Sequence, residues 1–164
     1  MRPICARAGL TERYFYESFS GREELLLAVF DRIIEEATAA VLLAVEDSPH
    51  DARAKARAAI AAFVDLMTDD PRKGRVAFVE AMGSEALMQR RLETLRAFAA
   101  LIAEQGRAFY GRKAVRREEA ELTAFMLVGG LAETLIAWLR GELDVPRDRL
   151  VDHCARLFVA AADG

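Results

Sequence analysis

Two cysteines, two histidines, four prolines and one tryptophan are all that this 164-residue chain carries of those types, and each scarcity excludes something. Cys5 and Cys154 stand far apart, and neither belongs to a CxxC or Cys/His cluster. A disulfide framework and a zinc site are therefore excluded, and a reducing cytoplasm is the expected compartment. His50 and His153 have no second ligand at metal spacing, so neither a metal nor a cofactor is expected. There is no nucleophile elbow and no glycine-rich phosphate loop, which leaves no catalytic constellation and argues against an enzyme. No apolar run reads as long enough to span a bilayer, and no charged-then-apolar leader opens the chain, so neither a membrane partner nor export is expected.

What is present is Ala, Leu, Glu and Arg in quantity, with few β-branched runs. Such a composition favours helix, and the length suits one core, so the expected fold class is all-α. The net charge of −3 is unevenly spread. Residues 1–22 carry four arginines against two glutamates and stand at +2, leaving the remainder at −5. Such a mild asymmetry does not by itself define a nucleic-acid protein.

Capping residues, proline and glycine divide the chain into eight helices. Ser48-Pro49 and Asp70-Pro71 each put a capping side chain before a proline of a first helical turn, Ser20 and Glu23 form a capping box, Ser84 is an N-cap and Gly111 a C-cap. The expected spans are 3–8, 12–19, 22–46, 49–68, 71–82, 84–110, 116–140 and 146–162. Within them the apolar positions recur at helical spacing, as in Ala56, Ile60, Phe63 and Met67, or Leu95, Phe98, Ile102 and Phe109.

The stretch ICARAGLTERYFYESFSGREEL, residues 4–25, has the form of a helix-turn-helix. Ala8-Gly9 permits a tight turn, Thr11 is a plausible N-cap for the second short helix, and Phe15 and Phe19 share one face while Tyr16 leaves it. Phe15 and Phe19 should be core and Tyr16 wet.

In register, this stretch resembles the helix-turn-helix of the tetracycline-repressor-like (TetR) regulators, I-A-x-x-A-G-V-S-x-x-x-F/L-Y-x-x-F followed by x-x-K-E-E-L. The resemblance implies that Thr11 and Tyr16 bind backbone phosphates and that Arg22 meets another phosphate at the start of the next helix. It also implies that Glu12, Arg13 and Tyr14 face bases in the major groove, where Arg13 suits guanine and Glu12 accepts from cytosine N4. Two departures stand out. Glu12 and Glu17 bring negative charge to a face that must approach DNA, and the further helix that the family places ahead of Ile4 is not in this sequence, so the DNA-binding unit reads as incomplete.

The expected organisation is a DNA-binding unit with its connecting helix over residues 1–45 and a ligand-binding and dimerisation unit over 46–164. Gly129-Gly130 interrupts a strongly apolar helix at a cost of roughly 1 kcal/mol per glycine relative to alanine, which close approach of a partner helix would offset. The candidate interface is Phe125, Val128, Gly129, Ala132 and Ile136 with Leu150, Cys154, Leu157 and Phe158 of the last helix, and the resemblance implies a four-helix contact in a homodimer. Phe63, Met67, Met82, Phe98, Phe109, Phe125, Met126 and Trp138 are candidates to line an apolar pocket. Phe63, Met67, Met82, Phe98, Phe125 and Trp138 are the expected ligand-binding set. The function implied is a ligand-responsive repressor that binds operator DNA as a homodimer and is released by a small apolar effector. The alternative is a helical ligand-binding or dimerising module without DNA activity.

Overall fold

A computed structural model describes residues 1–80, 83–111 and 116–163, and every regular element among them is a helix. In chain order these are α1 (Arg2–Ala8), α2 (Glu12–Ser18), α3 (Arg22–Asp47), α4 (Ala52–Asp69), α5 (Pro71–Gly74) continued by a π-helical turn (Arg75–Val79), α6 (Glu85–Tyr110), α7 (Arg117–Leu139) and α8 (Arg147–Asp163). The expected order and number of helices agree with this. The boundary drawn at 45/46 falls in the last turn of α3, and residue 82, the expected end of the fifth helix, lies outside the described residues.

Three caps form as the sequence suggests, and those expected ahead of α3 and α4 do not. Asp70 accepts from the Arg72 amide at 3.1 Å and Ser84 from the Leu87 amide at 3.1 Å, and Gly111 ends α6 at φ 55°. Before α4, however, the Ser48 hydroxyl turns back to the Val45 carbonyl at 2.8 Å, and Asp51 caps the helix by accepting from the Ala54 amide at 2.7 Å. Pro49 therefore precedes α4 instead of opening it. Before α3 the N-cap is Gly21, and Glu24, not Glu23, receives both the hydroxyl and the amide of Ser20, each at 2.6 Å. Those two bonds, the hydroxyl's first, hold the Glu24 carboxyl below its ordinary range.

The main core lies where α4 packs between α3 and α8, with the π turn and the end of α7 closing it. Ile33 and Ala37 of α3, Ile60, Val64 and Met67 of α4, Leu135 and Ile136 of α7, and Leu150, Val151, Cys154 and Ala155 of α8 are buried there. Gly74 makes one contact tight: a Cβ on it would lie 2.7 Å from the Met67 carbonyl oxygen. Two ties add to this packing. Arg57 Nε donates to Asp152 at 2.7 Å and Arg147 pairs with Asp65, each joining α4 to α8.

A second cluster joins α6 to α7 through small residues, with Ala99 and Ala103 against Ala124 and Val128. By length and composition α7 is apolar enough to cross a membrane, which corrects the expectation that no run reaches that length. In this fold its stripe of Ala124, Val128, Ala132, Leu135 and Ile136 is buried. Leu122, Phe125, Met126 and Leu139 stay exposed on the same helix.

Candidate DNA-facing surface and apolar cavity

The opening helix pair is built by its turn. Gly9 takes the left-handed conformation at φ 68°, its amide donates to Ala6, and the Leu10 amide reaches the Cys5 carbonyl at 2.9 Å. This 6→1 closure ends α1 at the one residue type that adopts such a backbone at little cost. Thr11 then stands at the N-cap of α2 in extended conformation, exposed, without a capping hydrogen bond from its side chain. Phe15 is buried, and Phe19 lies half-buried at the helix end with its ring 5.6 Å from Phe15. Tyr16 packs edge-on against Phe15 and, like Tyr14, keeps more than half its surface exposed, at 56% and 58%.

Three of the four arginines in residues 1–22 are matched by a carboxylate. Arg2 meets Glu12 at 3.2 Å, Arg13 meets Glu17 at 2.9 Å one helical turn on, and Arg22 meets Glu80 at 3.6 Å. All three arginine side chains are mostly exposed, so these pairs are weak and exchangeable. Thr11, Glu12, Arg13, Tyr14 and Tyr16 thus come together on or beside α2, and Arg22 opens α3.

A separate apolar cavity of about 520 Å³ lies between α3, α4, α6, α7 and α8. Its volume is that of a small-molecule site. Of the expected ligand set, Phe63, Met67 and Phe98 line it, with the Phe63 and Phe98 rings 6.1 Å apart. Phe125 and Trp138 do not. Phe125 is on the exposed side of α7, and the Trp138 indole donates to the Val145 carbonyl at 2.8 Å, closing the α7–α8 connection. Met82 lies outside the described residues.

Phe109 lines the cavity as expected, whereas Phe30 and Phe78 are cavity residues that sequence spacing did not single out. Phe78 belongs to the π turn, whose extra residue per turn shifts which side chains face inward. At the distal end His50 stacks 4.8 Å from Phe109, and Lys55 donates to the Val45 carbonyl at 2.8 Å. Arg91, in the wall, pairs with Glu133 of α7. Apolar side chains make up most of the wall, so the cavity selects for apolar bulk. A shallower groove between α3 and α6 shares Ile34, Thr94, Phe98 and Leu101 with it.

The expected interface residues divide. Val128, Ala132, Ile136, Leu150 and Cys154 are buried within the chain, and burial pushes the Cys154 thiol above its ordinary pKa. Phe158 lines the cavity, as do Val128 and Ala132. Phe125 and Leu157 remain exposed at 42% and 49%. A Cβ on Gly129 or Gly130 would meet nothing within 4 Å, so no tight crossing inside the chain uses these glycines. The outward face of α7 is instead Leu122, Phe125, Met126 and the two glycines. Among the described residues no group of three or more His, Cys, Asp or Glu side chains could hold a metal.

An all-helical protein with an N-terminal helix-turn-helix and a cavity-bearing bundle is the class this architecture defines. No family model matches the chain. Over 78 residues it is 35% identical to the HTH-type transcriptional activator FasR of Mycolicibacterium smegmatis, a stretch covering 48% of this chain and 35% of that protein. The match thus spans about a third of that relative's length, a weak homology to a helix-turn-helix regulator. The fold is similar to that of a protein with unknown function from Rhodococcus sp. RHA1, with a TM-score of 0.64 over 99% of this chain and 84% of the other. At 19% identity that likeness concerns fold alone.

Proposed function

We propose that this chain is a ligand-responsive transcription regulator of the tetracycline-repressor-like kind. It works as a homodimer through α7 and α8, grips operator DNA with α2, and releases it when an apolar effector fills the cavity. The observation that carries this reading is the α1–turn–α2 unit: Phe15 anchors α2, which leaves Thr11, Arg13, Tyr14 and Tyr16 exposed on and beside one short helix. The homology to a helix-turn-helix regulator supports it.

A dimer holds two half-sites only when its recognition helices stand about one helical turn of DNA, or a multiple, apart. An effector that binds one spacing better than the other therefore sets occupancy, in proportion to that difference. A repressor-type response is release on filling. The alternative, a ligand-binding module without DNA activity, is favoured by the pairing of Arg2, Arg13 and Arg22 with carboxylates, which weakens attraction to phosphate.

Selection from a random duplex library, followed by titration at matched salt, separates the two. The regulator enriches an inverted repeat and loses base preference at one position in Arg13→Gln. A library that stays unenriched rules out DNA binding by this chain and leaves the module.

A further inference from the structure

The apolar cavity has two unlike ends. Near the π turn it is closed by Phe30, Met67, Ala77 and Phe78, each exposed by 6% or less. At the other end Leu42, His50, Gln105 and Ala108 line it and are themselves exposed. The cavity is therefore blind at one end and opens at the other, beside the α3–α4 connection and the last turns of α6. Its wall on α4 runs from Ala52 to Met67, about 22 Å at 1.5 Å per residue. A volume of about 520 Å³ drawn out over such a length is a tunnel, shaped for an extended chain.

Charge is as unequal as closure. Among the described residues two Lys or Arg side chains line this wall, Arg91 towards the blind end and Lys55 at the mouth. Arg91 is neutralised by Glu133 of α7. Lys55 instead donates at 2.8 Å to the Val45 carbonyl, which the Ser48 hydroxyl also reaches at 2.8 Å. Asp51, one turn earlier on the same helix, is engaged by the Ala54 amide. An ammonium carries three N–H donors, so Lys55 has two to give, and the Val45 carbonyl keeps a donor if the third is drawn away. Lys55 is also half-buried, which strengthens its attraction for an anion relative to open water.

The geometry points to Lys55 as the residue that selects the ligand: an extended apolar chain ending in a carboxylate, inserted tail first, with its tail among Phe30, Met67 and Phe78 and its head at Lys55. A neutral chain gains the apolar wall alone, and a cationic head meets a like charge at the mouth. This deepens the functional reading above and rests on its assignment of the cavity as the effector site.

The test uses the full chain, without DNA. The neutral fluorophore 1-N-phenylnaphthylamine reports occupancy, and dodecanoate, dodecanol and dodecyltrimethylammonium compete with it below their micellar concentrations at one ionic strength. Dodecanoate should displace the dye at roughly tenfold lower concentration than dodecanol, the scale of a hydrogen bond to a charged group, with dodecyltrimethylammonium the weakest. Lys55→Gln should melt as the unchanged chain does, bind dodecanol as before and lose the preference for dodecanoate, whereas Lys55→Arg should keep it. Dodecanoate bearing a terminal diazirine, photolysed and mapped by peptide mass spectrometry, should label peptides containing Phe30, Met67 or Phe78. Equal displacement by dodecanoate and dodecanol overturns the assignment of the head group, as does a preference that survives in folded Lys55→Gln. Labelling at His50 or Gln105 overturns the direction of insertion. If neither the dye nor any chain binds, the cavity reading falls and this inference with it. A dye displaced equally by all three chains leaves the cavity reading standing and removes this inference alone.

Discussion

The first twenty-one residues and the bundle that follows use apolar side chains in opposite ways. In the opening unit, Cys5 and Phe15 are the buried residues, while Ile4, Leu10, Tyr14 and Tyr16 are 43% exposed or more. In the bundle, Val64, Met67, Leu135 and Val151 are sealed at 1% or less, and its apolar surplus lines an internal cavity. Burial contributes roughly 25 cal/mol per Å² of apolar surface removed from water, so the two regions differ in local stability within one chain. A loosely anchored opening unit on a well-packed body is the arrangement this contrast describes.

The largest expected effect is in the body. Leu135→Ala should lower global stability by about 2–5 kcal/mol, seen as a fall in denaturation midpoint. Phe15→Ala removes a comparable side chain from the opening unit, where the loss of about 3–5 kcal/mol is confined to α1 and α2. Hydrogen exchange over residues 2–19 should accelerate strongly while the global midpoint moves little. Equal falls in midpoint for the two variants would show one cooperative unit and erase the contrast.

Tyr16→Phe should leave both midpoint and exchange unchanged and weaken operator binding, since only the exposed hydroxyl is lost. Gly130→Ala works in the other direction, because no neighbour opposes a Cβ there. It should stabilise the dilute chain by roughly 1 kcal/mol. If a second copy covers this face, the gain should shrink or reverse at concentrations where sedimentation shows the dimer.

The smallest effect is with pH. The side chain and then the amide of Arg72 hold Asp70 at about 2, and Lys73 and then Arg32 hold Glu36 below its ordinary range. Carboxylates depressed in the folded state contribute stability that is fully present above their unfolded pKa and lost as pH falls through the folded one. For Asp70 that window runs from about 4 down to about 2. The midpoint difference between the chain and Asp70→Asn should close across it. In the opening region the depressed carboxyl is Glu24, so acid should also weaken the α2–α3 junction.

Helix order was legible because Asp70, Ser84, Gly9 and Gly111 carry their structural roles in their chemistry. The start of α4 was not, since Ser48 and Asp51 are both good caps and only the turn of the Ser48 hydroxyl back to Val45 decides between them. In the cavity, Phe63, Met67 and Phe98 follow from α-helical spacing. Phe78 escapes such a count because its register is π-helical, and Trp138 is drawn away by a hydrogen bond to Val145 that no periodicity encodes. On α7 the apolar residues run nearly all round the helix, so spacing could not separate the inward Val128, Ala132 and Ile136 from the outward Leu122, Phe125 and Met126.

Gly74 also bears on how this sequence can change over generations. The atom that a side chain at 74 would strike is the Met67 carbonyl oxygen, at 2.7 Å, which is part of the backbone and is the same whatever residue occupies position 67. A crowded side chain can be trimmed by a second mutation, but a crowded carbonyl cannot. Position 74 therefore has no compensating partner at 67, and a saturation library should lose every replacement there while accepting alanine at Gly129 and Gly130. The wall that carries Ala77 and Phe78 to the cavity thus begins at a residue whose replacement no change of side chain at 67 offsets.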